Sequence, residues 1–187
     1  MKSTPEQRSW YWYDWANSAF ATTVMAALRR ETWGGSDVKM PVAPGPENFE
    51  RAEPIFRAQW LSAYDMRPVS GNFPSVWDDS GDTSLSQLWV RDVPERPLDF
   101  VSLAAASDLF FPRIWLRRAR RVPIGTVSIT TYFHANREQL AQTGSGFLFA
   151  QASAQEFRNG FFDQTAQLSN ADGLMLATSS QIVYYKE

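Results

Sequence analysis

Phe100-Val101-Ser102-Leu103-Ala104-Ala105-Ala106-Ser107-Asp108-Leu109-Phe110-Phe111 is the stretch on which the fold turns. Ala and Leu are strong helix formers, and a helix that is apolar nearly all round its circumference is a buried one. Asp99 stands just before it, behind the breaks at Pro94 and Pro97, with a side-chain oxygen suited to the first turn's free amides. Pro112 ends the helix or bends it. The expectation is one buried helix over Phe100 to Phe111, with Asp108 inside it.

Outward from this helix the pattern becomes that of strands. Ile55 to Tyr64 and Leu85 to Val93 precede it, separated by a loop from Pro68 to Thr83 that carries Gly71, Pro74, Asp78, Asp79 and Gly81. After it, Ile124 to Phe133 is rich in β-branched and aromatic residues, and Phe147 to Phe157 and Phe161 to Leu168 follow. Asn170-Ala171-Asp172-Gly173 is a strong hairpin signal leading into Leu174 to Tyr185. One buried helix with an antiparallel run of strands predicts an α+β fold, its antiparallel β-sheet wrapped around one central helix.

Composition narrows the chemistry. Hydrophobic content of 44% and charged content of 20% are those of a globular domain, and a net charge of −2 gives no reason to expect nucleic acid. With no cysteine, thiolate nucleophiles, disulfides and Cys-based zinc sites are excluded. The one histidine, His134, leaves at most one Ser-His pair and no His-rich metal site, so neither metal nor cofactor is expected. The N-terminus lacks a basic stretch followed by a sustained apolar run, and Ala19 to Leu28 is too short to span a bilayer. The expectation is a cytoplasmic protein without a membrane span.

Asp108 is the residue that needs explaining. A carboxylate in an apolar helix is costly unless it is hydrogen-bonded or put to use. It reads equally as a general base and as an aspartate on an exposed stripe of the helix. Arg113, Arg117, Arg118, Arg120 and Arg121 form a dense basic run after it, readable as a solvated face or as a grip on phosphates.

Three segments in order resemble the C-terminal half of the acyl-CoA thioesterase II family. They are Ala104-Ala105-Ala106-Ser107-Asp108-Leu109, then Gly125-Thr126-Val127-Ser128-Ile129 with Tyr132-Phe133-His134, then Ala177-Thr178-Ser179-Ser180-Gln181. The resemblance implies a hot-dog fold and a water-activating trio of Asp108, Thr126 and Gln181. It implies an acyl-CoA substrate, whose coenzyme A phosphates would fall to Arg117, Arg118, Arg120 and Arg121. The run Ser128 to Thr131 departs from the more polar, His-containing run usual in the family. Family members carry two fused modules and this chain has room for one, so self-association or pairing with another hot-dog module is expected.

The implied organisation is a single thioesterase-like domain over 55–187, a Pro-rich arm over 29–54 and an atypical segment over 1–28. Residues 9–24 resemble the start of a first helix in major-facilitator transporters, but Arg29, Arg30 and Glu31 arrive before a span is complete. Thioester hydrolysis needs no metal and no covalent nucleophile. Asp108 would take the proton from a water held by Thr126 and Gln181, with backbone amides near the helix stabilising the oxyanion. A non-catalytic acyl-CoA-binding or assembly module is the alternative. Dehydration of an acyl-CoA is a third possibility, and it would require His134 beside Asp108.

Overall fold

The computed structural model describes residues 33–52 and 59–186. The segment 1–28 lies outside them, as do residues 55–58 of the strand expected from Ile55 to Tyr64; the rest of that stretch is instead a 3-10 helix, Gln59–Ala63, and the chain turns to strand only at Tyr64. Seven strands form one antiparallel sheet: β1 (Tyr64–Ser70), β2 (Ser86–Asp92), β3 (Ile124–Phe133), β4 (Leu148–Ser153), β5 (Phe157–Arg158), β6 (Phe161–Asn170) and β7 (Met175–Tyr185). Their order is β1-β2-β4-β6-β7-β3, with the short β5 paired to β6. Among the described residues three α-helices accompany them, α1 (Phe100–Ala106), α2 (Arg113–Arg118) and α3 (Arg137–Thr143).

The central helix is shorter than expected. Asp99 caps α1, its carboxylate accepting from the Ser102 amide at 2.7 Å, but the helix ends at Ala106. Distant partners end it. The Ser107 carbonyl accepts from the Ser179 hydroxyl at 3.0 Å and the Ser107 hydroxyl lies 2.8 Å from that of Thr131. Asp108 therefore sits in the turn after the helix, and Leu109 to Pro112 run on without helical structure.

α1 lies on the sheet because the strands beneath it offer room. Four strands meet in the row Leu88–Ala150–Leu168–Ala177, alternating large and small. The next row, Ser86–Ala152–Ala166–Ser179–Thr131, is small throughout. Leu103 and Ala106 of α1 are buried in the same core as the first of these rows. Large-against-small packing of this kind fills an interior without voids.

Other elements differ from expectation too: the stretch expected as one strand from Phe147 to Phe157 is split into β4 and the short β5, and β6 runs on to Asn170. β1 continues through Pro68 to Ser70, where a loop was expected; β1 is a sheet edge, and an edge strand tolerates a residue that cannot donate to the ladder. Two further helices stand where none was predicted. α3 starts at Asn136, whose side chain exchanges capping bonds with Gln139. By contrast, β3 runs from Ile124 to Phe133 as expected, and the Asn170–Gly173 turn forms with Gly173 at φ +85°. The described part of the Pro-rich arm packs outside β1 and β2, where the Pro44 carbonyl accepts from the Trp89 indole at 2.9 Å and Pro46 from Arg67 at 2.9 Å. Among the described residues no helix is long and apolar enough to cross a membrane.

Candidate active site

Strand alternation places the site. On the inner face of β6, β7 and β3 three consecutive rows run Phe162–Val183–Thr126, Gln164–Gln181–Ile129 and Ala166–Ser179–Thr131. Gln181 is thus flanked by Thr126 one row along and Thr131 one row back. Thr126 shares this face only because the β3–β7 ladder shifts between Thr126 and Ser128. Val127 is the extra residue of that bulge and is 58% exposed. Strict alternation back from Thr131 and Ile129 would have turned Val127 inward and Thr126 out.

These rows and the turn after α1 line an open cavity of about 520 Å³. Asp108, Thr126, Thr131, Gln164 and Gln181 all reach its wall, among Leu109, Phe110, Ile129 and Val183. The volume is that of a small-molecule site, apolar with a few convergent polar groups.

The polar groups form a directed chain. The Gln164 amide nitrogen donates to Gln181 Oε1 at 3.1 Å, and the Gln181 amide nitrogen donates to Asp108 Oδ1. Gln164 and Gln181 are both almost fully buried, so each amide is held by its neighbour. Burial pushes the Asp108 carboxyl up from 3.8 to about 6, against the smaller, opposing effect of the Gln181 hydrogen bond. A carboxylate in that range is ionised at neutral pH yet basic enough to take a proton.

Of the residues expected from the sequence, Asp108, Thr126 and Gln181 share the cavity, with Asp108 and Gln181 in direct contact. The four arginines stand elsewhere. Arg117 donates to the Gly81 carbonyl at 3.0 Å, and Arg118 and Arg120 approach Asp79 at 3.1 and 3.7 Å. Arg121 lies over the Trp77 ring at 5.1 Å. Arg117 and Arg118 also border a separate polar cleft with Glu156 and Tyr185. His134 is exposed, and its ring nitrogen meets the Thr178 hydroxyl at 3.0 Å. Thr178 alternates with Ser179 and so projects from the other side of β7, which separates His134 from Asp108 and removes the Asp-His dehydration reading. The backbone amides of Ser107 and Asp108 are taken by helix carbonyls, at 3.1 Å to Leu103 and 3.2 Å to Ala105, so neither is an oxyanion donor.

Gln164, Thr131 and Ser107 escaped the sequence reading. Gln164 carried a usable signal: it is the polar member of the inward set Phe162, Gln164, Ala166 and Leu168. Thr131 lay hidden among neighbouring hydroxyl residues on β3.

Comparison with known proteins agrees with this fold. A hot-dog-fold protein of Alicyclobacillus acidocaldarius is 38% identical with a TM-score of 0.78, over 85% of this chain and 59% of its own. A tesB protein of Mycobacterium avium subsp. paratuberculosis is 18% identical with a TM-score of 0.62, over 82% and 56%. An acyl-CoA thioesterase II of Mycobacterium marinum is 16% identical with a TM-score of 0.59, over 83% and 59%. The chain therefore spans somewhat under two thirds of the length of each. No curated protein sequence matches it. The fold is the hot-dog fold, and residues 36–185 match the model of the acyl-CoA thioesterase C-terminal domain, the family to which this chain belongs.

Proposed function

We propose that the domain hydrolyses an acyl-CoA thioester, with Asp108 as general base toward water. The observation that carries this is the Asp108 carboxyl, half-buried at the wall of a 520 Å³ apolar cavity and held by Gln181. Water attacks the thioester carbonyl as Asp108 takes its proton. The tetrahedral intermediate then expels coenzyme A as a thiolate, which recovers the proton. Gln164 fixes the Gln181 amide, so that Gln181 points an N–H at the carboxylate and not a carbonyl. Replacement of Asp108 by Asn tests the assignment, with thiol release as the readout; undiminished turnover in the variant would sink it.

Thr126 and Thr131 are both placed to hold the water. Thr131 is the better situated, because its hydroxyl lies 2.8 Å from that of Ser107, the residue before Asp108. Thr131→Val is expected to lower kcat/KM by roughly 10- to 100-fold, the usual range for one positioned polar group, and Thr126→Val by less than about 3-fold. The reverse ordering in steady-state kinetics would return the role to Thr126.

For the nucleotide end of coenzyme A the reading favours Arg117 and Arg118. Their cleft reaches Tyr185, two residues along β7 from Val183 in the wall of the Asp108 cavity. Arg120 and Arg121 would serve the loop at Asp79 and Trp77.

One observation favours a second reading. The chain spans only 59% of its Alicyclobacillus relative, while β3 is a sheet edge with Val127 and Tyr132 exposed beside it. A module that pairs with a second hot-dog domain, or with its own copy, and binds acyl-CoA without turning it over would show saturable binding and no thiol release.

A further inference from the structure

A second cavity, of about 60 Å³, lies behind the Asp108 cavity, between β1, β2 and the segment after Asp108. The two share Tyr64, Leu109 and Phe110 in their walls, so the partition between them is one side chain thick. Phe73 also lines it, and its ring stacks on Phe111 at 4.0 Å between centroids. Ala52 of the arm closes one side, fixed by its amide to the Met66 carbonyl at 2.7 Å.

Several of the polar groups around this space are engaged with one another. The Ser86 hydroxyl donates to the Gly71 carbonyl at 2.5 Å, the Ser70 hydroxyl to Gln87 at 3.0 Å, and the Phe73 amide to Asn72 Oδ1 at 2.8 Å. The wall is mainly hydrocarbon, with no charged group in it among the described residues. Such a space offers nothing to a phosphate, a sugar or a carboxylate, and everything to a chain of methylenes.

We propose that this cavity is the far end of the acyl site: a linear alkyl chain, its thioester carbonyl held at Asp108, passes Leu109 and ends against Phe73. Leu109 and Ala52 are then residues that determine chain-length specificity, the first at the neck and the second at the end. This rests on the hydrolase reading of Asp108.

The test compares butyryl-, octanoyl- and dodecanoyl-CoA on the full chain and two variants, each first checked for an unchanged melting transition. Ala52→Leu fills the far cavity without reaching the Asp108 cavity, whose wall does not include residue 52. It displaces space for about two methylenes, each worth roughly fourfold in transfer equilibrium. The kcat/KM ratio of dodecanoyl- to butyryl-CoA should fall by about tenfold or more, with butyryl-CoA turnover within about twofold of the parent. Leu109→Ala widens the neck and should move the same ratio the other way. Folded variants with the parent's chain-length profile would overturn the proposal. If the parent releases no thiol from any of the three, the hydrolase reading falls by itself, and dodecanoate binding measured by calorimetry decides the cavity. An Ala52→Leu loss of about tenfold in that affinity would sustain it; equal affinity would overturn it.

Discussion

Asp108→Asn is expected to abolish thioester hydrolysis and, at the same time, to make the protein more stable at pH 8. Loss of a general base lowers kcat by roughly 10²- to 10⁴-fold. The gain in stability comes from the same burial that makes Asp108 useful. Its carboxyl is pushed up from 3.8 to about 6 in the fold. Below pH 3.8 it is protonated in both states and exacts no penalty. Between 3.8 and 6 the folded protein keeps a proton that the unfolded chain sheds, so stability declines as pH rises through that window. Above 6 the full cost persists, on the order of 2–3 kcal/mol, since each tenfold change in proton affinity corresponds to about 1.4 kcal/mol. Asn keeps an acceptor for the Gln181 amide and never ionises. Thermal melts should place the variant about 4–8 °C above the parent at pH 8, with the difference closing toward pH 4. A gap that does not change with pH would mean that the carboxylate is not desolvated, and would remove the physical basis for its basicity.

Arg113→Ala is expected to be the most destabilising single change outside the core rows. Arg113 is fully buried, donating to the Phe111 carbonyl at 3.0 Å and to the Ser84 carbonyl at 3.1 Å. Its guanidinium also lies over the Phe111 ring at 4.4 Å. Burial pushes it down to about 9, a measure of how dry the site is. One planar fork thus ties the end of the 71–85 loop to the segment that follows Asp108. Truncation leaves two partly buried carbonyls without their donor and opens a void, at a cost of about 3 kcal/mol or more. The melting temperature should drop by about 6–12 °C. Arg113→Lys should recover less than half of this, because one ammonium cannot span both carbonyls in a fixed fork. A drop of under about 2 °C on truncation would show that the loop is held by its other contacts, Asp79 to Arg118 and Phe73 to Phe111, and not by this residue.

What the sequence disclosed and what it hid follow from how local each determinant is. β3 and the Asn170–Gly173 turn were legible because β-branched alternation and a glycine with positive φ act within a few residues. α1 was legible as a helix, but not where it stops, nor that it is buried on one face only, with Val101 and Ala105 exposed. Its end is set by bonds from Ser107 to Thr131 and Ser179, which lie 24 and 72 residues away in sequence. A continuing apolar run through Leu109 to Phe111 masked that end, and Asp108 was accordingly placed inside a helix and not in the turn beyond it. Asp108 and Gln181 were recognisable as a pair only through a resemblance of ordered segments, since 73 residues separate them. Thr126 reaches the cavity by a bulge that no pattern in Gly125 to Ser128 announces. The arginine run looked like one patch, yet Arg113 is wholly buried while Arg117 to Arg121 face the 77–81 loop. Composition cannot separate those two fates.

The central claim, a half-buried Asp108 acting as base in thioester hydrolysis, is tested most directly by the pH dependence of thiol release from acyl-CoA. The chain has no cysteine of its own to contribute background. The account predicts that kcat/KM rises about tenfold for each step of one in pH below about pH 6 and is level above it. It also predicts that Asp108→Asn leaves no such profile. Turnover that ignores pH between about 4 and 8, or that survives in the variant, would contradict it.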